Sequence, residues 1–301
     1  MPLWLKRTAL GLLALIALVL LAALAAAQWG DRQRQRQVSV PAHDLALPSD
    51  AASLQRGAYL FASRGCAECH GADGAGRAFI NDGKGMRVKA PNISPGTGNV
   101  VAAYAVQDWE RVLRHGVKPN GRPLYVMPSE DYAALTDADA AALIAHARSL
   151  PPAAGGPAEF ELPLPVRAMI GLGVIPDASQ KIDQARSHSA PVAEAVSIEH
   201  GRYVAQMCIG CHGPGLSGGK IPGGPPDWPA AANLTPGAGT AMPAYAQAEA
   251  FVAMMRSGKR PDGSAISPVM PFATTAALND TDLRAIHAYL KSLPGRAAGG
   301  R

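Results

Sequence analysis

A five-residue pattern, Cys-x-x-Cys-His, occurs twice in this chain. It appears as Cys66-Ala67-Glu68-Cys69-His70 and again, in the other half, as Cys208-Ile209-Gly210-Cys211-His212. These are the only four cysteines. The surroundings repeat in the same order. Gly57-Ala58-Tyr59 answers to Gly201-Arg202-Tyr203, and Asn92-Ile93-Ser94-Pro95 to Asn233-Leu234-Thr235-Pro236. Arg114, Gly116, Pro119 and Gly121 recur as Arg256, Gly258, Pro261 and Gly263, Val126-Met127-Pro128 as Val269-Met270-Pro271, and Leu135 to Pro151 as Leu278 to Pro294. Self-similarity of this kind reads as two like domains of roughly 100 residues each, an ordinary domain size. The expected layout is residues 50–152 for the first domain, 153–195 for a connector and 196–296 for the second, behind an N-terminal segment, 1–30.

The motif also limits the chemistry. Two thiols three positions apart can each add to one vinyl group of a single porphyrin, and the next residue then aims its imidazole at the iron; this is the c-type haem attachment pattern. Three other uses of Cys-x-x-Cys compete. Structural zinc needs four ligands drawn together, yet the first motif ends at His70, the second begins only at Cys208, and each has its own His. A redox dithiol sits beside a βαβ pattern, which is absent. Two disulfides would leave both adjacent histidines without a role. Two covalent haems, on Cys66, Cys69 and His70 and on Cys208, Cys211 and His212, account for every residue of both motifs.

A thioether opposite histidine gives electron-transfer iron. Of nine methionines only Met127 and Met270 hold equivalent places, at nearly the same distance downstream of His70 and His212. Each precedes a proline that stiffens its loop. They are the expected sixth ligands, with Met86 and Met242 as substitutes. His115, His146 and His287 have no histidine partner in the other repeat. Arg114 and Arg256 suit either carboxylate groups of a haem or a solvated helix face. Trp109 aligns with Phe251 as packing on ring or core, and Asn92 and Asn233 read as turn formers.

Each half closes with a helix. Thr136-x-x-Asp139 and Asn279-x-x-Asp282 are capping signals. Ala140, Leu143, Ile144, Ala147 and Leu150, and in the second copy Leu283, Ile286, Leu290 and Leu293, fall on one face before Pro151 and Pro294. Each half opens with a short helix, carrying Leu54, Ala58 and Phe61 in the first. With 32 glycines and 26 prolines among 301 residues, short helices joined by ordered loops fit, and long coiled coils or a strand-rich barrel do not. The connector's apolar stretch, Leu162 to Ile175, is expected to pack on the domains.

Thr8 to Ala27 is an uncharged run behind Lys6 and Arg7. As a helix it would span about 30 Å, a bilayer core. It is an uncleaved membrane anchor or, given Ala25-Ala26-Ala27, a cleaved signal peptide. Either way the body is exported. The same end of the chain holds most of the formal net charge of +5: Lys6, Arg7, Arg32, Arg34 and Arg36 stand there against Asp31 alone. From Val38 onward basic and acidic side chains nearly balance. A nucleic-acid partner is therefore excluded, because it would need a concentrated basic surface on the folded part.

With these residues in hand, the chain resembles the bacterial multihaem cytochrome c family, most of all the cytochrome subunits of membrane-bound alcohol and gluconate dehydrogenases. The resemblance rests on Ala90-Pro91-Asn92-Ile93-Ser94-Pro95, the Trp109 to Gly116 helix, the Met127-Pro128 loop, the Leu135 to Pro151 helix and the Leu162 to Ile175 connector, and it covers roughly residues 50–295. It implies an all-α fold of two tandem class I cytochrome c domains, covalent haem c, His/Met axial ligation and electron relay at the periplasmic face of the inner membrane. Redox partners would be a dehydrogenase or quinol-side donor and a terminal oxidase or another cytochrome. Those dehydrogenase subunits usually carry three haem motifs and this chain carries two, so a stand-alone dihaem relay stands beside a subunit of a dehydrogenase complex. A dihaem peroxidase is the enzymatic alternative. It needs one open distal position, against which two equivalent methionines argue.

Overall fold

The computed structural model describes residues 2–41, 43–186, 188, 190–225 and 227–300. Met1, Ser187, Ser189 and Pro226, which fall within the expected segments, lie outside them. The chain starts with one long helix, α1 (Leu3–Gln35). From Leu3 through Leu24 its leucines stand exposed, and only Ala27 and Gly30 are buried.

The first domain begins with α2 (Ala51–Ser63), capped by the Asp50 carboxylate accepting from the Ser53 amide, and α3 (Cys66–His70). A hairpin of β1 (Ala78–Asn81) and β2 (Arg87–Lys89) follows. Then come α4 (Val106–Glu110), which runs on into a single π turn at Arg111–His115, the short α5 (Ser129–Tyr132) and α6 (Asp137–Ser149). Thr136 caps α6 by accepting from the Asp139 amide, as its sequence signal requires. The expected stripe on α6 is buried throughout, with Ala140 and Ile144 at most 1% exposed.

In the connector, β3 (Glu159–Glu161) adds antiparallel to β2, α7 (Leu164–Gly171) packs along α1, and α8 (Ala178–Lys181) lies against α5. The second domain repeats the first: α9 (Ile198–Val204), α10 (Ile209–His212), α11 (Ala248–Ser257), α12 (Phe272–Ala276) and α13 (Asp280–Ser292), the last capped by Asn279.

The fold is mostly helical, as expected, but an all-α description omits the three-stranded sheet β1-β2-β3. Val88 is its buried residue and pairs with Phe160. The apolar stretch Leu162 to Ile175 also differs from expectation. Its helix packs on α1, leaving Leu172 and Val174 exposed.

Each domain has its own core, built where its first and last helices cross. The crossings need glycine. A Cβ on Gly57 would lie 2.1 Å from the Ala142 carbonyl oxygen, and one on Gly201 2.0 Å from that of Ala285. Leu45, which precedes α2, joins the first core.

The two domains are related by a pseudo-two-fold exchange of tyrosines. Tyr59 donates to Asp282 Oδ2 (2.6 Å) and accepts from the Asn279 amide (3.1 Å). Tyr203 donates to Asp139 Oδ2 (2.6 Å) and accepts from the Thr136 amide (3.3 Å). Each tyrosine thus reaches from the first helix of one domain into the cap of the other's last helix. Arg56 holds Asp139 with two bonds of 2.8 and 2.9 Å. Its counterpart His200 bonds Asp282 at 2.6 Å, and the buried Arg64 adds a contact to Asp282 at 3.2 Å.

Burial opposes charge on both carboxylates. For Asp139, the Arg56 and Tyr203 bonds outweigh burial; for Asp282, the Arg64 charge and the Tyr59 and His200 bonds do so. Both pKa values are lowered, so this stabilisation is complete above the unfolded value of about 4 and is lost as pH falls through the depressed folded values. Asp282→Ala strands Arg64 and His200 in the interior and is expected to cost about 3–5 kcal/mol in chemical denaturation of the haem-loaded protein at pH 7. That cost should shrink on acidification below about pH 4.

Candidate haem-binding sites

Both cysteine motifs form short helical turns. In α3, Cys66 and Cys69 stand three positions apart on one face. No disulfide joins the described cysteines, and among the described residues no group of three or more His, Cys, Asp and Glu side chains converges as a metal cluster. Burial pushes the Cys66 and Cys208 thiols up to about 12 and raises Cys69 as well. A redox dithiol needs the opposite shift, toward thiolate.

The two histidines are held alike. His70 Nδ1 lies 3.0 Å from the Pro91 carbonyl oxygen, and His212 Nδ1 lies 2.8 Å from that of Ala232. A carbonyl only accepts, so Nδ1 carries the hydrogen and Nε2 keeps its lone pair, the tautomer that a metal-ligating imidazole adopts. Burial lowers both pKa values, against a smaller opposite effect of the carbonyl.

The carbonyls are positioned by the neighbouring asparagines. Asn92 Oδ1 accepts from the Ser94 amide and hydroxyl (2.8 Å each) while its Nδ2 donates to the Ala153 carbonyl (2.8 Å). Asn233 accepts from the Thr235 amide (2.9 Å) and hydroxyl (2.7 Å) and donates to the Arg296 carbonyl (2.8 Å). These residues form turns, as read from sequence, and also strap the histidine's loop to the chain after the last helix.

The methionine loops are equally matched. Pro128 (φ −79°, ψ 62°) and Pro271 (φ −78°, ψ 77°) each centre an inverse γ-turn. It is closed by Ser129 N to Met127 O (2.8 Å) and Phe272 N to Met270 O (2.9 Å). Met127 is half-buried against the first core, as are Cys66, Ala67, Ile93 and Trp109. Met270 sits likewise with Cys208, Ile209 and Leu234 on the second. The same half-buried apolar set therefore rims each core, and it suits a flat macrocycle laid against it. A cleft of about 490 Å³ in the first domain is lined by Ile93, Pro95, Tyr104 and Trp109. The substitutes fit less well. Met242 is closed into the second core at 4% exposure, and Met86 lies in the β1–β2 hairpin, where its amide bonds Asp82.

Arg256 keeps the solvated helix face offered for it, at 39% side-chain exposure, whereas Arg114 does not. Arg114 is fully buried and donates to Asp137 Oδ1 (2.8 Å) and the Leu135 carbonyl (2.9 Å). Arg256 donates to Asp280 Oδ1 (2.9 Å) and the Ala276 carbonyl. Both brace the middle helix against the start of the last one. Phe251 is a core residue with Tyr245 at 6.1 Å edge-to-face, and Trp109 pairs with Tyr104 at 5.9 Å in the same way.

Comparison with known proteins agrees with this geometry. Residues 52–146 match the family model described as cytochrome C oxidase, cbb3-type, subunit III, and residues 198–294 match the cytochrome c model. A diheme cytochrome c-type of Cereibacter sphaeroides is 32% identical over 266 residues, 79% of this chain and 85% of that protein. The chain belongs to the dihaem c-type cytochromes. It is also 27% identical over 274 residues to the fructose dehydrogenase cytochrome subunit of Gluconobacter japonicus, covering 83% of this chain and 54% of the subunit. The alcohol dehydrogenase (quinone) cytochrome c subunit of Gluconobacter oxydans is 27% identical over 289 residues, 84% and 57% of the two chains. The cytochrome thus spans a little over half the length of these two dehydrogenase subunits. It carries two haem c groups and transfers electrons.

The cytochrome's two sites are tied to each other. Glu68, inside the first cysteine motif, accepts from the Thr274 amide of the second methionine loop at 3.2 Å. Reciprocally, the Asp131 carboxyl beside the first methionine loop lies against Gly210, inside the second motif, where an added Cβ would meet Oδ2 at 3.3 Å. Burial, with the Glu130 charge adding, pushes the Asp131 carboxyl up to about 8. None of these carbonyl, γ-turn or cross-domain contacts was expected from sequence.

Asn92→Ala and Asn233→Ala are each expected to destabilise their own domain by about 1–3 kcal/mol, the cost of orphaned buried partners. Each should also raise the midpoint potential of one haem only, because a looser carbonyl weakens the push on the imidazole. Redox titration of the two variants checks this.

Proposed function

We propose that Cys66 and Cys69 would attach one haem and Cys208 and Cys211 the other, and that His70 and Met127 would hold the first iron and His212 and Met270 the second. The observation that carries this reading is the duplicated geometry. An imidazole with Nδ1 committed to a carbonyl and a methionine on a proline-centred γ-turn recur at equivalent positions. Bound haem supplies a one-electron Fe(III)/Fe(II) couple. The chain's own residues keep the imidazole neutral and oriented, hold the thioether loop rigid and set the apolar rim that limits water.

The cytochrome acts as a carrier without substrate chemistry of its own. Equivalent methionines in both domains favour this over a peroxidase, which needs an open position. We place it at the periplasmic face of the inner membrane, tethered by α1, the helix that is long and apolar enough to cross a bilayer. It would relay electrons from a dehydrogenase or quinol-side donor to a terminal oxidase or another cytochrome. The dehydrogenase cytochrome subunits among its relatives support a dehydrogenase as donor.

Pyridine haemochrome assay after acid-acetone extraction is expected to give two unextractable haems per chain. A ratio of one would overturn the reading. Met127→Ala and Met270→Ala are each expected to lower the potential of one haem, or make it high-spin, and leave the other unchanged; redox-monitored spectra distinguish them. Residues 38–301 carry a side-chain charge near zero. Electron-transfer rates with the native partner should therefore fall only slightly between low salt and about 0.1 M, where the screening length is ~10 Å.

A further inference from the structure

The loop at the end of α7 points an apolar tip along the apolar part of α1. The two helices cross at a pair of glycines. A Cβ on Gly30 would lie 2.0 Å from the Arg167 carbonyl oxygen, and one on Gly171 1.9 Å from that of Ala26. As α7 advances from Arg167 to Gly171, it therefore moves from the level of Gly30 to that of Ala26, toward the uncharged stretch of α1.

Both ends of this excursion are fastened near the charged end of α1. On the way in, Arg34 donates to the Phe160 carbonyl (3.3 Å), and Arg167 Nε to Asp31 (3.1 Å). On the way back, Arg36 holds the buried Asp177 at 2.7 Å. From Asp31, where Arg167 is fastened, back to Ala26 the helix rises about 7.5 Å, at roughly 1.5 Å per position, so the tip begins that far past its nearer fastening.

The tip is built for an apolar medium. Ala168 to Pro176 contains no charged side chain. Leu172 is 70% and Val174 61% exposed, and Met169 is exposed too. Yet the backbone amides of Leu172, Gly173, Val174 and Ile175 are all satisfied within the segment, by the Ala168, Ile170 and Met169 carbonyls. These bonds are a Schellman cap around Gly173, which leaves the exposed tip with no unpaired amide, a condition that a loop in lipid also has to meet. Small residues at the helix crossing are likewise the packing mode of membrane helices.

Charge changes at the level where the tip is fastened. Arg32, Arg34, Arg36 and Arg167 lie there. Against them stand Asp31 and Asp177. This net basic rim fits anionic phospholipid headgroups.

We propose that the segment Met169–Ile175 is a re-entrant tip that inserts into the phospholipid leaflet beside α1, so that the haem domains are held at a fixed height above the membrane. The proposal rests on the reading of α1 as an uncleaved anchor, and the test separates the two. Full-length, haem-loaded protein, whose native cysteines are blocked as thioethers, is reconstituted in vesicles of phosphatidylethanolamine and phosphatidylglycerol. Single variants Leu172→Cys, Val19→Cys and Glu199→Cys are labelled with an environment-sensitive fluorophore, and haem spectra confirm folding.

The expected result is a blue shift and loss of iodide quenching at 172 and at 19, with quenching by a lipid-borne quencher, while 199 stays aqueous. If 172 behaves like 199 while 19 is shielded, the tip does not insert and the anchor stands. If 19 is also aqueous, or the purified chain lacks residues 1–27, the anchor reading fails and the proposal fails with it.

Discussion

The arrangement of this cytochrome depends on two tyrosines, each donating into a carboxylate of the opposite domain. The Tyr59–Asp282 and Tyr203–Asp139 bonds join the first helix of one half to the cap of the last helix of the other. The cap is already needed inside its own domain, where Asp139 and Asp282 supply the amides that Thr136 and Asn279 accept. One side chain thus finishes a helix, and its partner joins two domains at the same point. Arg56, Arg64 and His200 keep the buried carboxylates ionised, which is what lets such polar atoms lie at a closed interface. The cysteine motifs and methionine loops then meet across the same axis, through Glu68 with Thr274 and Asp131 with Gly210.

How much of this was legible in the sequence follows from where the signal resides. The cysteine motifs, the paired methionines and the capped terminal helices are written in side chains at fixed spacing, and repetition doubled each signal. The Pro91 and Ala232 carbonyls were illegible because a backbone acceptor has no residue type. Their position one residue before Asn92 and Asn233 was the available clue. Arg114 and Arg256 were legible as a recurring pair, but the carboxylates they hold were not. Their partners Asp137 and Asp280 recur just as faithfully, and pairing the two recurrences would have found the brace. The strands were illegible because β2 and β3 are three residues each, too short for alternation to show, and only the turn-rich Asp82 to Gly85 between β1 and β2 signals a hairpin.

The halves also differ. The sheet, the π turn and a buried cluster in which Glu110 meets His115 (3.2 Å) and His115 meets Gln184 (2.6 Å) occur in the first domain. The last of these links that domain to the connector. The chain after α1 adds its own contact there, from Val38 N to the Gly121 carbonyl at 2.9 Å, and buries Leu45 in the first core.

A duplicated protein contains its own control. Whatever both copies retain must serve the task both perform, and whatever only one copy has must serve a task it alone performs. Subtracting the second half from the first removes the cysteine turns, the imidazole–carbonyl pairs, the γ-turns and the braces. What remains is the sheet, the Glu110–His115–Gln184 cluster and the seat for α1 and the connector. The first half therefore works as the mounting as well as a redox module. The second half, attached through its twin and the connector's end, is relieved of that duty.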